Sequence, residues 1–180
     1  MDKILEFSKK HILNLNRSDL ISIDATLGRG NDTLFLSKIS KKVYSFDIQK
    51  EAIEYSLDLL SKNNISNVEV ILDSHENITK YVNACDVVMF NLGYLPKGDK
   101  SIATRKDSTL KAIKESLSVL NLNGIISIVF YPGFPSGLEE SEYVMEYLKT
   151  LDQKTYDIIK YEFINQINMP PFCVLIERIK

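Results

Sequence analysis

Short apolar runs rich in β-branched residues alternate with segments whose apolar positions recur every three or four residues, almost to the end of the chain. Runs of the first kind, at 20–25, 43–47, 68–72, 85–90, 124–131, 156–164 and 172–178, predict strands. The second kind predicts helices. One opens the chain over 2–14, and a second runs from Lys50 to Asn63 with Ala52, Ile53, Leu57 and Leu60 on one face. A third runs from Ser108 to Leu120 with Leu110, Ile113, Leu117 and Leu120, and a fourth spans Leu138 to Leu151, with Ser136 and Gly137 where a helix start is expected. Strand and helix in alternation are the pattern of a doubly wound α/β sheet with helices on both faces. No repeat, low-complexity tract or linker divides the 180 residues, so a single domain over 1–180 is expected. A chain of that size buries roughly 70% of its unfolded surface and needs no staple.

The tail breaks the alternation. Between the runs at 156–164 and 172–178 lies only Asn165-Gln-Ile-Asn-Met-Pro-Pro171, too short for the crossover that a parallel return requires. The last two strands must therefore run antiparallel. A mostly parallel seven-stranded sheet ending in an antiparallel C-terminal hairpin is the Rossmann-like arrangement of the class I S-adenosylmethionine-dependent methyltransferases, whereas a nicotinamide-binding sheet more often continues with parallel units.

Composition narrows the setting. Cys85 and Cys173 both sit inside apolar runs and read as small core residues of a reduced protein, not as a disulfide. No apolar run approaches the roughly 18 residues that span a bilayer, and the start lacks a signal-peptide core, so a soluble, cytoplasmic protein is expected. No metal site is expected, because His11 and His75 are the only histidines and neither has a matching carboxylate spacing. The net charge of −2 argues against a general nucleic-acid coat but leaves room for a local patch. Lys97, Lys100, Arg105, Lys106, Lys111 and Lys114 face only Asp99 and Asp107 in their stretch, which is either a solvated helix face or a rim for a polyanion.

The turn after the first strand, Asp24-Ala-Thr26-Leu-Gly28-Arg-Gly30-Asn-Asp32-Thr33, supplies backbone that can pass close to a ligand, with carboxylates around it. A pyrophosphate wants amide N–H groups and no nearby negative charge, whereas a sulfonium carrying an α-ammonium gains from an adjacent carboxylate. Asp24, Thr26, Gly28, Gly30, Asp32 and Thr33 are therefore candidate ligands of S-adenosylmethionine. Asp47, 17 residues after Gly30, ends the second strand, where an acidic residue accepts ribose hydroxyls or caps the helix that starts near Gln49. At the end of the third strand, Asp73-Ser74-His75-Glu76 is placed for the adenine, although His75 could equally cap a turn or face solvent.

The fourth strand delivers Asn91-Leu-Gly93-Tyr94 to its carboxyl end. An Asn carboxamide oxygen and a backbone carbonyl can both accept from an amino group, leaving its lone pair aimed at an electrophile while the Tyr ring covers one face. The tetrapeptide is similar to the Asp/Asn-Pro-Pro-Tyr motif of amino-methyltransferases, with Leu-Gly in place of Pro-Pro. Asn91 and Tyr94 are the candidate catalytic residues, and Asn91 and Gly93 also border the cofactor.

Taken with Asp73-Ser-His-Glu76, Asn91-Leu-Gly-Tyr-Leu-Pro-Lys-Gly-Asp-Lys100, Thr104, Thr109 and Tyr131-Pro-Gly-Phe134-Pro-Ser-Gly-Leu-Glu139, the chain closely resembles one family over nearly its whole length. These are small bacterial proteins labelled rRNA methylases and associated with methylation of 5-aminomethyl-2-thiouridine at the tRNA wobble position. The resemblance implies methyl transfer from S-adenosylmethionine to an exocyclic amine, with S-adenosylhomocysteine as product and the tRNA anticodon region as partner. It further implies Tyr94, Tyr131 and Phe134 as aromatic surfaces around a flipped base, Leu95 and Pro96 beside them, and Lys97, Lys100 and Arg105 on phosphates. A homodimer would widen the RNA footprint. Phe134 stands where the family usually has His, and Asn31 where His is common. Phe134 cannot take a proton, so another general base or water takes it, or the position only stacks on the uridine ring. Glu139, near a helix start, is a candidate acceptor of backbone N–H groups. A ribosomal RNA or small-molecule amine methyltransferase, and a non-catalytic nucleotide- or RNA-binding module, are the competing readings.

Overall fold

The computed structural model describes residues 1–93 and 104–180. Seven strands form one sheet in the order β3-β2-β1-β4-β5-β7-β6. They are β1 (Leu20–Asp24), β2 (Ser40–Asp47), β3 (Val68–Leu72), β4 (Cys85–Asn91), β5 (Leu120–Phe130), β6 (Tyr156–Tyr161) and β7 (Phe172–Arg178). The pairings from β3 to β5 are parallel, and β7 runs antiparallel to both β5 and β6. The expected C-terminal hairpin is present.

The helices are α1 (Ile4–Leu13), α2 (Asn31–Ser37), α3 (Lys50–Lys62), α4 (Lys106–Val119) and α5 (Pro135–Leu148), with a 3-10 turn at His75–Lys80. The sheet buries both faces. Val87 and Met89 of β4 pack with Ile4, Ile12 and Leu36 of α1 and α2, whereas Val88 and Phe90 pack with Ile78, Ile113, Leu117 and Val144 on the other side. Period-two alternation between two apolar faces is why β4 reads as an unbroken hydrophobic run.

Against the sequence reading, β2 begins three residues early at Ser40 and β6 ends three residues early at Tyr161, and three further differences have local reasons. β5 begins at Leu120, four residues early, because the chain passes from α4 directly into the sheet and the register with β4 shifts across Asn121–Gly124. Asn123 there is left-handed, with φ of 61°. Residues Asn31–Ser37 form a helix too short to show periodicity. Finally, α5 starts at Pro135, whose fixed φ suits a first helical position. Cys85 and Cys173 are free and buried, and burial pushes their thiols up to about 12 and about 11.

Candidate active site

Strand order reverses between β1 and β4, and a crevice opens there outside the strands' carboxyl ends, where such sheets bind ligands. It is a cleft of about 1190 Å³, wide enough for two bound groups. Of the residues singled out from sequence, Thr26, Gly28, Asp32, Asp47, Gln49, Ser74, His75, Asn91, Gly93, Arg105, Tyr131 and Phe134 line it. Asp24, Gly30 and Thr33 are buried and do not line it. Tyr94, Leu95, Pro96, Lys97 and Lys100 lie outside the described residues.

Asp24 ends β1 at 1% exposure. Its carboxylate accepts from Thr33 Oγ1 at 2.6 Å and from the Thr26 N–H at 3.1 Å. Burial, then the nearby Asp32, pushes this carboxyl up to about 7, against the opposing pull of those two bonds. Gly28 and Gly30 follow with φ of 49° and 73°, so the turn needs left-handed backbone twice. A Cβ on Gly30 would also lie 3.0 Å from Ser56 Oγ.

Asp47 Oδ2 accepts from the Gly28 N–H at 2.9 Å and Oδ1 from the Gln49 N–H at 2.9 Å. Both oxygens are thus engaged with backbone, and each keeps a second lone pair for a ligand hydroxyl. Gln49, not Asp47, is the residue preceding α3. His75 Nδ1 lies 2.9 Å from the Ala25 carbonyl, which assigns the proton to Nδ1 and makes Nε2 the acceptor in the neutral ring. Burial lowers the His75 pKa and favours that neutral form. Ser74 caps the 3-10 turn, its hydroxyl accepting from the Glu76 N–H at 3.2 Å.

At the tip of β4, the Asn91 N–H donates to Thr26 Oγ1 at 2.8 Å, joining the two strand ends. Asn91 Nδ2 donates to Asp32 Oδ2 at 3.3 Å, and Asp32 Oδ1 pairs with Lys9 Nζ of α1 at 2.8 Å. The Asn91 side chain also hydrogen-bonds the Tyr131 hydroxyl, whose pKa is raised mainly by burial. With its amino group given to Asp32, the carboxamide keeps Oδ1 as an acceptor for an incoming amine.

The basic stretch is less free than its composition suggests. Lys106 pairs with Glu139 at 2.5 Å, Lys111 lies 3.8 Å from Glu76, and Lys114 sits over the Tyr147 ring. Among the described residues Glu139 accepts from this lysine and from no backbone N–H group. Sequence reasoning missed Lys9, and it missed Asn168, Met169, Pro170 and Pro171, which form the far wall of the cleft beside Gly133 and Phe134. The signal was available in topology: an antiparallel β7 starts level with the end of β5, Phe130 opposite Phe172, so the loop before it must lie at the carboxyl edge. Asn168 and Met169 are both left-handed, with φ of 65° and 49°.

Known proteins share this architecture. A chloroplastic tRNA (mnm5s2U34)-methyltransferase from Arabidopsis thaliana is 34% identical over 178 residues, 87% of this chain, and the chain spans 62% of that relative's length. An rRNA-methylase structure from Clostridium thermocellum superposes with a TM-score of 0.95 at 40% identity, covering 99% of this chain and 98% of that one. A Streptococcus mutans methyltransferase in complex with S-adenosylhomocysteine superposes with a TM-score of 0.93 at 41% identity, with 99% of both chains covered. The fold is that of the class I methyltransferases. Matched by the family description over residues 43–177, the chain belongs to the "Putative rRNA methylase" family.

Proposed function

We propose that the chain methylates the exocyclic amine of 5-aminomethyl-2-thiouridine at the tRNA wobble position, giving the 5-methylaminomethyl form. The observation that carries this reading is the Asn91 carboxamide at the β4 tip, its Nδ2 held by Asp32 and its Oδ1 available to an amine. S-adenosylmethionine supplies an already activated methyl group on sulfur.

The chain's own task is then to hold and orient. The Gly28–Gly30 turn, Asp47 and Asp32 would hold the nucleoside and the cationic end of the donor, and the neutral His75 ring would accept from an adenine amino group. The donor set fits: carboxylates surround the place where a cation belongs, and among the described residues Lys9 pairs with Asp32 while Asp24 has no positive partner. Asn91 Oδ1 would accept an N–H of the neutral amine and turn its lone pair toward the donor, an alignment worth several kcal/mol of barrier. Tyr131 and Phe134 would flank the uracil ring, with Tyr94 from outside the described residues. Phe134 in this role stacks and transfers no proton.

The similarity to the wobble-uridine methyltransferase supports the substrate, and the anticodon region is accordingly the proposed RNA partner. A homodimer is the arrangement we favour for widening the RNA contact, with the cytoplasm as its place. The family description favours a second acceptor, ribosomal RNA. The test is labelled methyl transfer from S-adenosylmethionine to total RNA of a strain lacking this protein. Label in the wobble nucleoside of tRNA, lost with Asn91→Ala, supports the reading; label confined to ribosomal RNA overturns it.

A further inference from the structure

Glu140 of α5 is a carboxylate at 3% exposure that the methyl-transfer reading leaves unused. Its Oε1 accepts from Thr109 Oγ1 at 2.6 Å and its Oε2 from Thr104 Oγ1 at 2.9 Å. Thr104 stands at the start of the described chain after the acceptor segment. Its hydroxyl accepts from the Gly93 N–H at 2.9 Å, and its own N–H donates to the Gly93 carbonyl at 2.8 Å.

The direction of this chain of bonds is dictated by the carboxylate. An ionised Glu only accepts, so the single Thr104 proton must point to Glu140, and the hydroxyl lone pairs are left for the Gly93 N–H. Gly93 has φ of 127°, a conformation closed to other residues. Its N–H belongs to the Leu92–Gly93 peptide group. In a trans peptide the carbonyl points opposite to the N–H, so anchoring the Gly93 N–H aims the Leu92 carbonyl. The neighbouring amides are anchored too: Asn91 N–H on Thr26 Oγ1 and Leu92 N–H on the Val129 carbonyl.

We propose that Glu140 is a positioning residue for the amine acceptor. Through Thr104 it fixes the plane of the Leu92–Gly93 peptide, so that the Leu92 carbonyl and the Asn91 carboxamide present two acceptors in a set geometry. The proposal rests on the methyl-transfer reading for its consequence, and on the hydrogen bonds alone for its structure. Burial raises the Glu140 pKa while the two threonine hydroxyls hold it down, which fits a carboxylate kept for the bonds it accepts.

The test compares Glu140→Gln, Thr104→Val and Thr104→Ser. The first blurs the donor direction, the second removes the hydroxyl at equal volume, and the third restores it. The expected result is a fall in kcat on undermodified tRNA by roughly tenfold to a hundredfold for the first two. Affinity for S-adenosylmethionine is retained, Thr104→Ser recovers most of the loss, and Gly93 amide exchange quickens only in the first two. Should Glu140→Gln fail to fold, Thr104→Val carries the comparison alone. Wild-type exchange at Gly93 in Thr104→Val overturns the proposal, as does wild-type kcat. If the wild-type protein transfers no methyl to tRNA, the functional reading fails, and Gly93 exchange still decides the positioning role.

Discussion

Under the proposed function, Asp24 should couple the charge state of the site to its occupancy. A carboxyl raised to about 7 makes its full contribution to stability below the ordinary value of 3.8 and loses it as pH rises toward 7, because burial and Asp32 both disfavour the ionised form. A cation bound in the cleft reverses the balance by favouring the carboxylate, which lowers its pKa in the complex. Affinity for S-adenosylmethionine should therefore rise with pH up to about 7 and level off above it, with a proton released per binding event on the rising part. Calorimetry in buffers of different ionisation enthalpy measures that proton directly. In Asp24→Asn the pH slope and the released proton should vanish, while the unliganded protein at pH above 7 should melt higher than the wild type. A flat profile in the wild type would contradict this account of the site.

The β5–α5 junction shows the same economy of space between elements. Tyr131 leaves β5, Pro135 opens α5, and a Cβ on Gly137 would lie 2.2 Å from the Tyr131 carbonyl and 2.8 Å from Phe134 Cζ. Only hydrogen fits between helix and turn. Gly137→Ala should therefore displace the start of α5, at a cost of about 1–3 kcal/mol typical of overpacking. Tyr131 and Phe134 line the cleft on the side proposed for the acceptor, so turnover on RNA should fall further than affinity for S-adenosylmethionine, whose proposed side rests on β1 to β3. Thermal unfolding reads the first effect and a kcat against Kd comparison the second. Equal loss of both would mean that the junction supports the whole cleft. Ser136 and Gly137 mark this helix start in the sequence, but the contact that requires glycine does not, since it depends on a carbonyl six residues upstream folded back against the helix.

At the scale of the molecule, what could be read in advance was whatever depends on local order. The alternating runs located all seven strands, and the short loop before Phe172 forced the terminal hairpin. The glycine turn and the Asn91 strand end were visible because each is contiguous. Lys9, Glu140 and Asn168 were not, because each reaches the cleft from a distant element: α1, α5 and the loop that only a reversed β7 carries to the carboxyl edge. Charge follows the same logic. A count of lysines near the cleft suggested a broad basic rim, yet Lys106 is engaged by Glu139 and Lys111 lies near Glu76. If phosphate contacts fall to Arg105, Lys97 and Lys100, about three counterions leave a single-stranded anticodon loop. The slope of log K against log salt should then be shallow, about −2. Lys106→Ala should leave that slope unchanged, and Arg105→Ala should reduce it by about 0.7. A slope several times steeper, measured by titrating an anticodon stem-loop across a salt series, would require more phosphate contacts than these three residues make, as Arg29 of the same cleft or a second copy of the chain in the RNA-binding unit would supply.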